Sequence, residues 1–408
     1  MFTLKRLNKT AYDEFVANND KAHFLQSYSW GEFCKVKKHL TPYYLGLIND
    51  DNTIVAATLL LQKYLPLNYS YFYAPRGFII DYNNEELVKE MTNKIIKFAK
   101  KKKGIFVKID PNIIIKDYNY LNEEQKTTYD KDKVYNILKR VGFKHLEFAK
   151  ASESIERYSY RIDLTQPLEE IEKHFSKVTK QQIAKSQKLE TEVVIGTEKD
   201  IKELYQLIQL TKEKENSILY DEDYYETLYE IFNGSKNTKA ILFLGKVHLT
   251  KTIKVLEKKL KKTIDQISIM PIDNLSKSAK IKLKELKEQK ENIKKELEKY
   301  KNYKQEYGAD ITLNAHMIVT YKDKAWVLYT KDHNILNETY TSYNTYYNHI
   351  KYCKEKSITM YEQPGATDNE LKFGGNYIEF IGEWDYIINK PMYFIFTKLV
   401  STYKNKNM

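Results

Sequence analysis

Asp110 is the residue best placed for chemistry. It ends the run Val107–Lys108–Ile109–Asp110 just before Pro111, where an apolar strand pattern stops. A carboxylate held at a strand end can orient an amine or take its proton; the plain alternative is a turn aspartate that caps the Pro111 segment. Arg76 stands between Pro75 and Gly77 in "YAPRGFIIDY" (73–82), an otherwise apolar, strand-like stretch. A guanidinium there offers a fork to a phosphate or carboxylate, or else a structural ion pair between strand and helix. Lysines complete the set: Lys35, which shares a helix face with Lys38, after Trp30 in "WGEF"; Lys180 and Lys185 in "TKQQIAKS"; and Lys372, ahead of Phe373, Gly374 and Gly375. These are point charges suited to anions, with plain solvent exposure as the alternative. The glycine pair lets a backbone approach a ligand closely, or simply turns the chain.

Other chemistries leave no trace. The two cysteines, Cys34 and Cys353, make no disulfide framework, and no cysteine–histidine cluster has zinc spacing. There is no glycine-rich phosphate loop of the Walker type. No cofactor is expected.

The chain has 408 residues, enough for two domains or one large composite. Its net charge is +12 and its pI about 9.1, which favours polyanionic partners; abundant Lys, Ile, Asn and Tyr with scarce Gly are also what an AT-rich genome produces. No apolar run reaches the ~18–20 residues of a membrane span, and the first ten residues hold no signal-peptide core. The expected location is cytoplasmic and reducing.

The elements that must carry these residues are mixed. Residues 41–48 and 53–65 read as a strand pair with an Asp-rich turn, 69–80 as another strand, 84–104 as a helix ending in lysines at Gly104, 105–111 as a strand and 132–143 as a short helix. The grammar then repeats: strands at 158–165, 191–196 and 239–247, one helix over 168–188, helices over 199–216 and 221–233, a hairpin over 314–333, a helix over 342–356 and a strand over 357–365. The fold class is α/β. Between about 248 and 306 the chain is almost all Lys, Glu, Ile and Leu. Ile253, Leu256, Leu260, Ile264 and Ile267 recur at three- and four-residue spacing, and so do Leu286, Ile293, Leu297 and Tyr300 after Pro271–Asn274. That pattern is two helices folded back as an antiparallel coiled coil that packs mainly on itself and projects. It is either a solvated structural hairpin or a lysine-rich lever for a polyanion such as RNA.

Six stretches in order resemble the FemABX family of peptidyl-bridge transferases: "FLQSYSWGEF" (24–33), "YAPRGFIIDY" (73–82), "VKIDP" (107–111), "FSKVTKQQIAKS" (175–186), "SYNTYYNHIKYCKEKSITMYEQPG" (342–365) and "FGGNYIEFIGEWDYIINKPMY" (373–393). The resemblance implies two acyltransferase-like (GNAT-like) units side by side. These would be residues 1–150 for the first and 151–246 with 308–408 for the second, with the arm, 247–307, inserted in the second. It implies aminoacyl-tRNA as donor. The implied acceptor is the stem-peptide amine of a peptidoglycan precursor, lipid II or a soluble nucleotide-linked muramyl pentapeptide. It also implies a peripheral place at the inner face of the membrane and other Fem-like proteins as partners. An aminoacyl-tRNA transferase with another acceptor, a protein N-terminus or a lipid, is the alternative, and a non-catalytic tRNA-binding adaptor is a third reading.

Carried over by residue, Asp110 matches the family's aspartate at the acceptor pocket, Lys372 with Phe373 matches a lysine that faces the donor's tRNA end, and Asp110 and Lys372 are the implied catalytic pair, expected to line one pocket. Lys35 lies where a lysine holds the precursor's diphosphate, with Cys34 and Lys37 as neighbours in register. Trp30, Arg76 and Gly374 fall within the matched stretches as candidate substrate contacts. Lys180 replaces the first arginine of an Arg-x-x-Ile-Arg helix; Ala184 replaces the second, and Lys185 is the nearest compensating charge. Tyr43, Tyr71, Tyr73 and Tyr377 are either stacking surfaces for sugars and bases or ordinary β residues. The donor ester is already activated. The remaining demands are a deprotonated amine, which at pKa ~10.4 costs roughly 4–5 kcal/mol near pH 7, and positive charge at the oxyanion.

Overall fold

Two sheets organise the chain in the computed structural model, which describes residues 1–146, 156–189, 191–211, 220–270, 276–365 and 370–406. The first sheet runs in the spatial order β1 (Thr3–Arg6), β2 (Thr41–Ile48), β3 (Ile54–Tyr64), β4 (Ser70–Ala74), β5 (Gly104–Ile109), β15 (Trp384–Ile387) and β7 (Lys144–His145). The second runs β6 (Ile114–Tyr118), β14 (Asn376–Phe380), β8 (Tyr158–Asp163), β13 (Met360–Pro364), β12 (Lys324–Asp332), β11 (Asp310–Tyr321), β10 (Thr238–His248) and β9 (Thr191–Gly196). Each sheet holds one parallel pair, β4 with β5 and β12 with β13, among antiparallel neighbours. Each sheet with its helices makes one α/β unit, two in all among the described residues.

A boundary at residue 150 does not follow the sheets. β6 leaves the N-terminal half to pair with β14, and β15 returns from the C-terminal half to pair with β5 and β7. The exchange interlocks the units, so neither sheet is complete without a strand from the other half. Between the sheets, α1 (Lys9–Ala17), α2 (Tyr28–Lys37), α7 (Ile201–Thr211) and α8 (Glu222–Asn233) share a core that includes Tyr12, Phe33, Leu59, Leu204, Leu228 and Met317. α3 (Glu85–Lys101) and α4 (Lys131–Arg140) cover the first sheet through Met91, Ile95 and Leu138 against Val107 and Trp384. Asn84 caps α3 by accepting from the Leu87 amide, and lysines fill its last turn, as the dipole favours.

On the second sheet, the single helix expected over 168–188 is two, α5 (Leu168–His174) and α6 (Lys177–Gln187). Ser176 breaks it: its hydroxyl accepts from the Thr179 amide as the N-cap of α6, while Phe175 turns inward. These helices and α11 (Thr341–Glu355) share a core through Ile171, Ile183 and Ile350. The inserted arm is α9 (Leu249–Ser268) and α10 (Lys277–Tyr307). Its stripe is buried near the body, where Ile253, Leu256, Ile293, Leu297 and Tyr300 meet Ile311, Leu313 and Leu336. Further out Ile264 is 41% and Ile281 54% exposed, so the arm projects. The turn expected at Pro271–Asn274, the helix end at 212–216 and most of the short loop at 366–371 lie outside the described residues. The last helix is α12 (Lys390–Lys406).

Candidate active site

Prolines set the geometry. Pro75 follows β4, Pro111 follows Asp110, and Pro364 closes β13. A proline cannot donate to a strand ladder, so each parallel pair stops and its strands part. β12 and β13 pair only from Lys324–Met360 to Trp326–Glu362. Beyond that point Val327–Thr330 on one strand and Gln363–Pro364 on the other line a cavity of about 580 Å³. The first sheet closes the same cavity with Tyr73, Pro75 and Arg76 from the end of β4. The carboxyl ends of both parallel pairs thus face one space, where open α/β sheets usually bind ligands.

The strand expected over 69–80 ends at Ala74. Arg76 sits in a tight turn at φ 51°, in the left-handed region. Gln26 holds that turn: its amide donates to the Pro75 carbonyl at 2.6 Å, and its oxygen accepts from the Leu59 amide at 2.8 Å. Gly77 is needed beside it, because a Cβ there would stand 2.9 Å from the Gln26 side chain and 3.0 Å from the Thr58 hydroxyl. Arg76 is buried, at 3% exposure. Its Nη2 donates to the Glu156 carbonyl at 2.8 Å, and its guanidinium carbon lies 3.8 Å from the centre of the Phe380 ring. Its Nε is buried without a hydrogen bond among the described residues.

Asp110 lies against this turn. Its Oδ1 accepts from the Arg76 backbone amide at 2.7 Å, and its Oδ2 is 4.0 Å from Arg76 Nη1. Oδ2 makes no hydrogen bond among the described residues. The Tyr73 hydroxyl is near enough to favour the ionised carboxyl but falls short of hydrogen-bond geometry. Burial pushes the Asp110 pKa up to about 7; the Arg76 charge and amide oppose this, and the Glu383 charge adds to it. The result is a carboxyl that titrates where a general base works best.

The opposite wall comes from α2. Trp30 lines the cavity, and Lys38, at the C-cap of α2, places its Nζ 4.7 Å from the centre of the Trp30 ring. Burial lowers the Lys38 pKa. Lys35 points elsewhere: its side chain is 63% exposed and pairs with Glu32 at 3.8 Å. Lys37 pairs with Asp223. Cys34 lines the cavity too, but burial pushes its thiol up to about 12, far from a thiolate nucleophile. Lys38, and neither Lys35 nor Lys37, therefore lines this cavity. Lys38→Ala is expected to raise the acceptor KM about tenfold or more, as loss of a charge-assisted contact does. Lys35→Ala should stay within about twofold, as for any exposed pair. Equal effects in steady-state kinetics would contradict this assignment.

The remaining residues gather elsewhere. Lys372 precedes β14 while Phe380, under Arg76, ends it, a separation of at least about 13 Å along the strand. The Lys372 carbonyl accepts from the Ser176 amide and the Thr179 hydroxyl at the start of α6. Phe373 is a core residue, edge-on to Phe175. Gly374, at φ 75°, is needed for packing, since a Cβ would stand 2.5 Å from the His174 carbonyl. Lys180 Nζ donates to the Lys173 carbonyl, and Lys185 Nζ lies over the Tyr340 ring. So Arg76 and Trp30 line one cavity, and Asp110 lies buried behind its wall, against Arg76. Lys180, Lys372, Phe373 and Gly374 share another face of the second sheet, and Lys35 and Lys185 join neither group. Sequence reasoning gave Gln26 and Glu156 no part; a glutamine inside a matched stretch was the available signal for the first.

Of the four tyrosines singled out in the sequence, Tyr73 lines the cavity, which Tyr220, Tyr224 and Tyr329 also line. Tyr43 is core, Tyr71 stacks on Phe106, and Tyr377 stacks on Tyr158.

A family model described as the FemAB family matches residues 7–401. The chain belongs to the FemAB family. It is 25% identical over 423 residues to the aminoacyltransferase FemA of Staphylococcus epidermidis, covering 97% of this chain and 99% of that one. It is 26% identical over 411 residues to the lipid II:glycine glycyltransferase of Staphylococcus aureus strain MRSA252, covering 94% and 92%. The crystal structure of FemX superposes with a TM-score of 0.75 at 21% identity, over 97% of this chain and all of that one. This FemAB protein is a transferase with the FemX fold. Among its described residues, no helix is long and apolar enough to cross a membrane.

Proposed function

We infer that this FemAB-family transferase moves an amino acid from aminoacyl-tRNA to the stem-peptide amine of a peptidoglycan precursor, with lipid II as acceptor. The observation that carries this reading is Asp110: a buried carboxyl with a pKa of about 7, touching two side chains, Arg76 and Tyr73, that line the cavity. An ammonium entering from the cavity meets that carboxylate and gives up its proton. The free amine then attacks the ester carbonyl of the donor. A C–N bond forms, the C–O bond to the ribose breaks, and the ribose oxygen takes up a proton. Arg76 Nε, a buried donor with no hydrogen bond, suits the oxyanion or a precursor anion. Lys38 and Trp30 suit the precursor's diphosphate and sugar. Lys180 and Lys372, on the far face of the second sheet, suit the donor RNA. The lipid-linked acceptor makes the protein peripheral to the inner face of the membrane.

The test is a matrix of acceptors and donors. The protein is mixed with lipid II, or with the nucleotide-linked muramyl pentapeptide, and with tRNA charged in turn with labelled Gly, Ala, Ser or Thr. Label in lipid II from one charged tRNA supports the reading and names the amino acid. Label only in the soluble precursor moves the acceptor upstream of the lipid. No label in either acceptor with any tRNA sinks the reading.

A further inference from the structure

α12 rests on the first sheet by one side only. Phe396 packs on Tyr71 and Phe106 with ring centres 5.3 and 5.4 Å away, Tyr393 meets the Phe106 edge, and the Tyr393 hydroxyl donates to Asp385 at 2.8 Å. The outward side carries Phe394, Ile395 and Leu399, which are 67%, 49% and 65% exposed. Beside the start of α12, the turn from β3 to β4 lifts Leu67 to 80% exposure, with φ 60° and ψ 27°. A leucine held left-handed at the exposed tip of a turn is strained, and such strain collects at functional surfaces. Leu67, Lys100, Lys103 and Lys390 line one shallow groove, so the turn, the end of α3 and the start of α12 form one continuous surface.

The charge on this surface has one sign. The chain carries no Asp or Glu over 52–80, 91–109 or 386–399, the three segments that build it. Exposed apolar side chains ringed by lysine are the pattern of a helix that lies in a lipid headgroup layer. A second copy would set lysine against lysine across a two-fold axis. Nucleic acid has no use for the apolar tips.

We propose that this surface, Leu67 with the outward face of α12 and its lysines, docks the enzyme on an anionic bilayer. This rests on the reading that the acceptor is lipid-linked. The surface lies at the start of β5 and Asp110 follows its end, about 20 Å away at ~3.3 Å per residue, so a docked enzyme holds its base a sugar-peptide's reach above the lipid.

The test uses the full chain and two variants, Leu67→Glu and Phe394→Glu, both at exposed positions. Co-sedimentation is measured with phosphatidylcholine vesicles with and without phosphatidylglycerol. Binding is expected only with phosphatidylglycerol, weakened by salt and about tenfold or more by either variant. Both variants should use the soluble precursor like wild type and lose transfer to vesicle-borne lipid II. Equal binding to both vesicle types, or variants that bind like wild type, overturns the proposal. So does a dimer in sedimentation equilibrium that Phe394→Glu dissociates. If neither acceptor is used while lipid binding follows the expected pattern, the docking surface stands and the transferase reading falls.

Discussion

Asp110→Asn is expected to slow transfer by about 10²–10⁴-fold, the usual contribution of a positioned base, without loss of fold. Asparagine keeps the Oδ1 that accepts from the Arg76 amide and cannot take the proton. Stability supplies the control. The folded Asp110 has its pKa raised to about 7 from the ordinary 3.8, chiefly by burial. Between those values the folded state holds a proton that the unfolded chain has lost, so stability falls as pH rises through the window. Above about pH 7 the ionised carboxylate costs the fold on the order of 4 kcal/mol, from ~1.36 kcal/mol per pH unit over the rise from 3.8 to about 7. Asparagine removes that cost. The variant should therefore melt at or above the wild-type temperature at pH 8, and the two should converge as the pH falls to about 4. A variant that is inactive and also less stable at pH 8 would mark Asp110 as a structural turn residue.

Lys108→Met should be the most damaging change to stability away from the cavity. Lys108, next but one to Asp110, is buried with two carboxylates, Glu383 at 2.5 Å and Asp385 at 3.5 Å. Both acids are also buried, at 5% and 3% exposure. Taking one partner from a buried ion cluster costs about 3–5 kcal/mol, because the remaining charges are left without compensation; a whole domain has only about 5–15 kcal/mol to lose. Burial already raises the Asp385 pKa and Lys108 pulls it down. Without the lysine Asp385 rises further, so the loss should be largest at alkaline pH and shrink on acidification. Adding Glu383→Gln and Asp385→Asn should recover most of it. Urea melts that place Lys108→Met within about 0.5 kcal/mol of wild type would show the cluster to be dispensable. The prediction also bears on β15, because this cluster ties the exchanged strand to β5.

The local elements were largely legible from side-chain periodicity. β2, β3, β9 and the β11–β12 hairpin follow from alternation, and α3 from its Asn84 cap, its apolar stripe and its closing lysines. Three features were not. The break at Phe175–Ser176 hides inside a continuous helical pattern, and only the serine's cap geometry shows it. The turn at Arg76 reads as strand because every residue around it is apolar; its left-handed φ depends on Gln26, about fifty positions earlier in the chain. The exchange of β6 and β15 is non-local, and no spacing along the chain encodes which sheet a short strand joins. For the site, Asp110, Arg76 and Trp30 were visible as residue types at punctuated strand and helix ends. The choice of Lys38 over Lys35 turns on how α2 meets the cavity. The distance between Lys372 and Asp110 depends on the length and direction of β14, for which sequence reasoning had no element at all.

The central claim is that Asp110 takes the proton of an acceptor that arrives as an ammonium ion. The most direct test is the pH dependence of kcat/KM for the acceptor, at saturating charged tRNA, in wild type and Asp110→Asn. If Asp110 is the base, kcat/KM should climb about tenfold per pH unit below about 7 and level off above it, and in Asp110→Asn the break should vanish. A wild-type profile that keeps climbing with unit slope through pH 7 towards the amine's own pKa, ~10.4, would mean that the amine binds already neutral and that Asp110 takes no proton.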